Sequence, residues 1–433
     1  MTSLGGLRAA CAAACEQVRR ERLAEVASLL VDTPSPTGEE APLARELVRL
    51  MSASGIAARE QVVRGSQSNA IGVLGGEGEA PSLLLYAPID TVTSNDPSED
   101  LPWAGDQLRA DMRALAWREG DTIFGLGAHN PKGHAACVLV AAEALAAAKA
   151  PLRGELRLGF GAGGMPTDSR AGRPPGDGHG AGCACMLEAG PRPDYAIIAK
   201  TGWFVSWEEV GLAWYEIVVG GTHTYVGSRH LLPYVNAIRE AAHVVQRLED
   251  WFPTWAAQNR SGLVEPQGVV SFIEAGAKRT AAFTPAECRI RVDLRLSPRT
   301  SPEAADEALG GVLRDIAGEL GAEMRWRRLL AIPGTTTSPD SWIIRSTIEC
   351  WERLEGRRHQ PILGLSGATD ANILRAHGVP TARIGLPKAP VQGADFQLGM
   401  NAVHLPHMEA LTRLLICAAL ATCNRESERA GDG

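Results

Sequence analysis

Several short segments of the sequence gather side chains that could carry out acid–base or ligand chemistry. Asp90 follows a fully apolar stretch at residues 82–86, which is typical of a buried parallel strand. A carboxylate just past such a strand lies where open α/β sheets bind their ligands. A polar segment at residues 129–134 adds His129, Asn130, Lys132 and His134. Each of these residues alone could equally cap a helix or line a turn, so their order along the chain is more informative.

Further candidates lie in the second half of the chain. Lys200 ends a strand-like run at residues 195–199, His223 lies in GGTHTY, and His404 lies in VHLPHME. Arg295 belongs to the alternating stretch VDLRL, where it could instead be a salt-bridged sheet residue. The segment GATDAN contains small and hydroxyl residues whose backbone amides could contact a carboxylate substrate; its members are Thr369, Asp370 and Asn372. A single histidine is more often structural than catalytic.

Several common site motifs are absent from the sequence. There is no GxxxxGK[ST] phosphate loop and no GxSxG nucleophile elbow. Cys183 and Cys185 are separated by one residue, which does not match the spacing of a zinc ribbon. The candidate residues therefore belong to none of these motif classes.

The elements that must position these residues follow an alternating strand and helix pattern, which predicts an α/β fold with a central sheet. A helix is predicted from Leu7 to Leu30, and Thr37 with Glu40 has the spacing of a capping box for the next helix. Near Gly211 the order changes to β-α-β-β-α, which predicts an inserted module at 211–325. The remaining segments, 1–210 and 326–433, are predicted to belong to one discontinuous α/β domain. The Gly/Pro-rich stretch at 161–182 is predicted to be a functional or mobile loop.

Composition narrows the class of protein. The 433 residues include 43 Lys+Arg against 50 Asp+Glu, a net charge of -7, which argues against binding to nucleic acid or anionic membranes. No apolar run approaches the roughly 20 residues that a membrane helix needs. The 9 cysteines are scattered and odd in number, which favours reduced thiols in the cytoplasm.

The order of segments resembles a known enzyme family over nearly the whole chain. TPSPTGEE, LLLYAPIDTV, GLGAHNPKGHAA, GGTHTY, VDLRLSPRTSPE, GATDANILRAHGVPTARIG and VHLPHME follow one another as in the two-zinc aminoacylase, acetylornithine deacetylase and succinyl-diaminopimelate desuccinylase family, which includes carboxypeptidase G. The resemblance implies a mixed-sheet, zinc-peptidase-like catalytic domain with an inserted lid. It also implies a homodimer formed through that lid.

The metal ligands of that family are mostly missing. By the resemblance, Pro88 stands where the first histidine ligand would be, and Asn130 replaces the bridging aspartate. The general base and the next zinc ligand fall on 163–165, which are Gly, Gly and Met, and Lys200 replaces a further acidic ligand. Only His404 matches a ligand of the family. Proline and glycine side chains offer no donor atom, so we expect no metal cofactor unless a different zinc site has formed.

The leading functional hypothesis is a metal-independent enzyme acting on an amide-type C–N bond of a small amino-acid-like or N-acyl substrate. Asp90 and His404 would transfer protons, Lys200 would supply positive charge or act as base or nucleophile, and Asn130 and His223 would donate hydrogen bonds. Substrate binding is assigned to Lys132, His129, Arg295, Thr369, Asp370 and Asn372. Two alternatives remain: a rebuilt single-metal site, or a non-catalytic binding or partner protein. The ligands available for the metal site are His129, His134, His404, Asp90 and the acidic and His residues of the 161–182 loop. Lys200 could also simply pair with Asp90 in an inactive site.

Overall fold

A computed structural model describes residues 4–76, 80–170 and 174–426 of the chain. Over these described residues the chain divides into two compact units. The first unit takes in Met1–Trp207, Thr337–Pro361 and Thr369–Gly433, and the second takes in Glu208–Thr336 and Ile362–Ala368. Among the described residues, no helix is both long enough and apolar enough to cross a membrane.

The first unit contains helices before and after the second unit in the sequence. Its helices are α1 (Leu4–Glu16), α2 (Arg20–Asp32), α3 (Ala41–Ala53), α4 (Pro97–Asp100), α5 (Lys132–Ala147), α6 (Ala181–Ala189), α9 (Trp342–Glu355), α10 (Ala371–Ala376), α11 (Phe396–Asn401) and α12 (Leu405–Cys423). Its strands are β1 (Ala57–Arg64), β2 (Gln67–Leu74), β3 (Leu83–Pro88), β4 (Trp117–Glu119), β5 (Thr122–Phe124), β6 (Leu156–Gly161), β7 (Tyr195–Ala199), β14 (Thr381–Ile384) and β15 (Ala402–His404).

A mixed sheet with the strand order β1-β2-β6-β3-β7-β14 organises the first unit. Strands β6, β3, β7 and β14 are parallel neighbours, whereas β1 and β2 are antiparallel. Every residue of β3 is buried, as its continuous apolar sequence predicts. The carboxyl ends of the parallel strands therefore meet at one edge, and the loops that follow them are brought together there.

The core of the first unit is built on α5, which is buried along most of its length and packs against α12, α2 and β3. A disulfide joins Cys11 on α1 to Cys417 on α12. The prediction that all thiols are reduced was therefore wrong for this pair, because the two helices pack with these residues face to face. Pairing across 406 residues leaves no signal in local spacing.

The second unit is a sheet covered by two helices. Its strands are β8 (Glu208–Glu209), β9 (Gly211–Gly220), β10 (Gly268–Ala275), β11 (Glu287–Leu296), β12 (Met324–Ile332) and β13 (Thr335–Thr336), and its helices are α7 (Ala237–Asn259) and α8 (Pro302–Leu320). The main sheet has the antiparallel order β10-β11-β9-β12. Alternate residues of β11 are buried, and they join α7 and α8 in one apolar core. The predicted α/β fold with an inserted β-α-β-β-α module is confirmed, with β12 as an additional strand.

Candidate functional site

The loops after β3, β6 and β7 meet at the carboxyl edge of the parallel strands. They carry Asp90, two residues past β3, the backbone of 163–165 past β6, and Lys200, directly past β7. Asp90 is fully buried and Lys200 is only 9% exposed. Two of the segments that replace metal ligands of the two-zinc family, 163–165 and Lys200, are therefore brought together with Asp90 at one edge of the sheet.

Asp90 is held by three hydrogen-bond donors. Its Oδ2 accepts from the Thr37 hydroxyl at 2.7 Å and from the backbone N–H of Met165 at 3.0 Å, and its Oδ1 accepts from the N–H of Gly164 at 2.8 Å. Burial raises the pKa of Asp90, while the Thr37 hydroxyl and the positive charge of Lys200 act in the opposite direction. Asp90 thus fixes the 163–165 loop and lies within electrostatic reach of Lys200.

Glu40 is a buried acid that the sequence assigned a different role. Its Oε1 accepts from the backbone N–H groups of Gly38 at 3.0 Å and Gly163 at 2.9 Å. Glu40 occupies the N-cap position of α3 but makes no side-chain capping bond, and the Thr37 hydroxyl donates to Asp90 instead, so the predicted capping box does not form. Burial, with the negative charge of Asp90, raises the pKa of Glu40 to about 8. Its Oε2 is buried and has no hydrogen-bond partner among the described residues.

Asp370 contributes a further buried carboxylate. It accepts a hydrogen bond from the Tyr86 hydroxyl at 2.6 Å, and both residues are buried. A Cβ placed on Gly164 would lie 2.9 Å from Asp370 Oδ2, so this carboxylate borders the same loop. Thr369 lies two residues before α10, and its hydroxyl accepts from the N–H of Ala371, the first residue of that helix, at 3.2 Å. Asn372 is buried in the first turn of α10.

Two histidines lie at the start of α5. The ring of His129 meets the ring of His134 edge-on, with centroids 5.2 Å apart. His129 Nε2 bonds the carbonyl oxygen of Pro387 at 3.1 Å and must therefore carry the proton. His134 Nε2 accepts from the N–H of Leu386 at 3.1 Å. Burial lowers the pKa of His129 to about 4 and places that of His134 well below its usual range, so both rings are neutral at pH 7.

Asn130 and Lys132 lie between these two histidines in the sequence, and their side chains contact different parts of the first unit. The Asn130 amide nitrogen lies 3.8 Å from Met400 Sδ, and its Oδ1 is buried without a hydrogen-bond partner in the described structure. Lys132 Nζ instead donates to the carbonyl oxygen of Thr33 at 2.8 Å, just past the end of α2. Burial lowers the pKa of Lys132 to about 7. Lys132 therefore satisfies the end of a helix, and its predicted contact with substrate stays a prediction.

His404 has neighbours of its own. It ends β15, and its ring lies edge-on to that of His407, with centroids 4.6 Å apart. Burial lowers the pKa of His404, and the charges that act on it are those of Asp121 and Arg20. The hydrogen bonds that hold Asp90 all come from other residues. His404 is not among the donors to Asp90, and the proton-transfer role predicted for these two residues stays a prediction.

His223 and Arg295 belong to the second unit. His223 Nδ1 donates to the carbonyl oxygen of Thr284 at 2.9 Å, and its ring stacks on Phe283. It lines a cavity of about 740 Å³ within that unit. Arg295 pairs with Asp293 at 2.8 Å, which is the sheet-bound alternative that the sequence left open.

The residues at the sheet edge do not fit a pair of metal ions. The amides of Gly163 and Gly164 are occupied by Glu40 and Asp90. A Cβ on Gly164 would lie 2.5 Å from the Cβ of Pro88, so neither position offers or accommodates a ligating side chain. Across the described ranges, the group of three or more potential ligand atoms within 4.8 Å of one another is Cys11, Cys15 and Cys417. The ligands predicted for a rebuilt site were His129, His134, His404, Asp90 and the acidic and His residues of the 161–182 loop. Within the described part of the chain they do not form such a group.

Solved structures share this architecture over nearly their whole length. The dipeptidase Dug1p from Saccharomyces cerevisiae superimposes with a TM-score of 0.69 at 10% identity, covering 96% of this chain and 99% of that one. A Bacillus subtilis protein described as a dinuclear metal-binding peptidase from the M20 family gives 0.61 at 15% identity, covering 93% and 97%. The chain has the M20 peptidase fold.

A third solved structure is a tripeptidase from Staphylococcus aureus, with a TM-score of 0.67 at 15% identity and coverage of 94% of this chain and 100% of that one. No family model matches the sequence. At these identities the likeness establishes the fold alone. The M20 fold agrees with the family resemblance seen in the sequence, whereas the subfamily and the divergence of the site stay predictions.

Proposed function

We propose that this chain hydrolyses the C–N bond of a small N-acyl amino acid or dipeptide-like substrate, at a sheet-edge site that works without a pair of metal ions. The M20 fold supports the reaction class, since its solved neighbours are described as peptidases and amidases. The observation that carries the metal-free part is Lys200. It is buried at the end of β7, and its charge acts on Asp90.

Lys200 supplies the positive charge of the proposed site. An ammonium group in a dry, low-dielectric edge stabilises negative charge on a carbonyl oxygen far better than it would in water. Asp90 is fixed by Thr37 and by the 163–165 loop, and the charge of Lys200 acts on it. This pairing replaces, in electrostatic terms, a cation held by carboxylates.

His129 is the general base of the proposal. Its Nε2 proton is used by the Pro387 carbonyl, so Nδ1 carries a lone pair, and that atom is buried without a hydrogen-bond partner among the described residues. The base takes a proton from water as the new C–O bond forms, and returns it to the nitrogen as the C–N bond breaks. Proton transfer was predicted for Asp90 and His404. We prefer His129 to Asp90 because both oxygens of Asp90 already accept hydrogen bonds, and the role of His404 stays a prediction.

The other predicted roles stay proposals. They are donation to the oxyanion by Asn130 and His223, and substrate contacts by Lys132, Arg295, Thr369, Asp370 and Asn372. A lid function and homodimer formation by the second unit also remain proposals, as do a cytoplasmic location and the role of the 161–182 loop, of which 171–173 lie outside the described residues.

The proposal is tested by turnover and metal analysis on the same preparation. Chelator-treated protein is incubated with a panel of N-acyl amino acids and dipeptides, and products are followed by mass spectrometry. We expect turnover to survive chelation and to fall by about 100-fold or more in Lys200→Met. Lys149→Met, which removes an exposed lysine, is the matched control and should leave turnover unchanged. Turnover that vanishes on chelation and returns with zinc would refute the metal-free mechanism.

A second candidate function is ligand binding without turnover. It is favoured by the fact that Asp90 has both oxygens engaged by Thr37, Gly164 and Met165, as in a purely structural carboxylate. Calorimetric binding of the same panel, with no product formed over long incubation, would support it over the hydrolase.

A further inference from the structure

A cluster of three cysteines lies where α1 packs against α12, apart from the sheet edge. Cys11 and Cys15 are four residues apart on α1 and so share one face of that helix, and Cys417 faces them from α12. The sulfur atoms of all three lie within 4.8 Å of one another. Cys11 and Cys417 form the disulfide, and Cys15 is a free, partly buried thiol.

The size of this cluster matches the coordination sphere of a thiophilic cation. Zinc–sulfur bonds are about 2.3 Å long, so sulfurs that share one zinc ion are roughly 3.8 Å apart. All three side chains come from packed helices, with Cys11 and Cys15 against the apolar core of the first unit, so little rearrangement is needed to bring them together. Each is partly exposed, which gives an ion access from solvent.

A positively charged side chain lies near the cluster. Arg413 precedes Cys417 by one helical turn, and its charge acts on Cys15. Three thiolates around a divalent ion leave a net negative charge, which a nearby guanidinium offsets.

We propose that the reduced cluster of Cys11, Cys15 and Cys417 binds one thiophilic closed-shell cation, Zn²⁺ or Cu⁺. Thiolates are the ligands that these ions prefer over carboxylates. The disulfide uses two of the three sulfurs, so the cation binds only after a dithiol reductant has reduced it by thiol–disulfide exchange. The reductant becomes the disulfide, Cys11 and Cys417 become thiols, and the three thiols release their protons as they bind the cation. This site is independent of the proposed hydrolase, because it lies between two helix faces that the sheet-edge residues do not contribute to.

The experiment uses the full chain, reduced and kept without oxygen, in competition with a chromophoric zinc indicator and, separately, with a copper(I) indicator. We expect one equivalent of cation per chain, with roughly tenfold or greater loss of affinity in Cys15→Ser. The matched control is Cys185→Ser, which removes another partly exposed free thiol on α6 and should bind normally. Oxidised protein should release the ion.

A second readout protects the test against a variant that fails to fold. Bound cation should slow alkylation of Cys11, Cys15 and Cys417 in the unmodified protein, as read by mass spectrometry, but not that of Cys185. Equal affinity in Cys15→Ser, binding by the oxidised chain, or unchanged alkylation of the three thiols would each overturn the proposal.

Discussion

Glu40 and Asp90 accept hydrogen bonds from consecutive backbone amides, those of Gly163 and Gly164. Two buried carboxyl groups are thereby fixed side by side on one loop, with Lys200 within electrostatic reach of Asp90. Ionising both acids would place two negative charges close together in a buried site, at a high cost in free energy, so we expect one of them to keep its proton. Burial raises the pKa of both acids, and the pKa of about 8 for Glu40 is the basis on which we expect Glu40 to be protonated at neutral pH.

Glu40→Gln should remove a pH dependence of stability. The pKa of Glu40 is about 8 in the folded chain and 4.5 ordinarily, so between these values the folded state binds the extra proton. The free energy of unfolding therefore falls as pH rises through this window, by up to about 1.4 kcal/mol per pH unit. Urea denaturation across the window should show a shallower fall in Glu40→Gln. Glu39→Gln, the half-buried neighbour, should keep the slope of the unmodified chain; an unchanged slope in Glu40→Gln would contradict the assignment.

Lys132→Met should remove a pH dependence of stability that has the opposite sign to that of Glu40. The pKa of Lys132 is about 7 in the folded chain against 10.5 ordinarily, so the unfolded state binds more protons between these values. Stability accordingly rises with pH in that window, and the variant should lose the rise. It also loses the bond to the Thr33 carbonyl, at a cost of roughly 1 kcal/mol. Lys149→Met serves as the exposed control, and a rise that persists in Lys132→Met would show that another group titrates there.

Tyr86→Phe should destabilise the first unit by about 1–3 kcal/mol, because it removes a donor from the buried carboxylate of Asp370. Tyr215→Phe provides a matched comparison: its hydroxyl donates at 2.8 Å to Asp306, whose side chain is 40% exposed and open to water. The loss should be smaller there. Thermal and urea unfolding of both variants measure the difference, and equal losses would argue that Asp370 is readily rehydrated.

Gly164→Ala should destabilise the chain by roughly 1–3 kcal/mol through crowding. The added methyl would lie 2.5 Å from the Cβ of Pro88 and 2.9 Å from Asp370 Oδ2. Gly190→Ala, where the nearest atom is the Met186 carbonyl oxygen at 3.4 Å, should cost little. Urea denaturation of the two variants gives the comparison. A well-tolerated alanine at 164 would mean that the loop can move away from β3 and admit a larger side chain.

Much of the fold could be read from hydrophobic pattern. The run at residues 195–199 is β7 as predicted, and the buried, unalternating β3 is the centre of the parallel strands. The helix predicted from Leu7 to Leu30 is instead two helices, because the chain becomes extended at Arg19. Strand β12 was missed, since its pairing with β9 is a tertiary contact that local sequence does not encode.

The site was only partly predictable. Asp90 and Lys200 were found because each follows an apolar strand, and strand ends converge by topology. Glu40 was missed because its spacing from Thr37 satisfies a local rule, and only the approach of Gly163 reveals its use. The capping-box spacing describes only how a side chain interacts with its own helix. The role of Glu40 is instead set by a contact with a residue more than a hundred positions away.

The interrupted first unit has a consequence for the order of events on the ribosome. Strand β14, which pairs with β7, and helix α12, which packs on α5, are both made after the second unit. The part of the first unit that precedes Glu208 therefore cannot complete its sheet and core until the last stretch of the chain has been made. Most of the second unit, from Glu208 to Thr336, is by then already synthesised. Domains in many proteins fold in the order of their synthesis. In this chain the second unit, although it lies in the middle of the sequence, is expected to complete its fold before the first unit does.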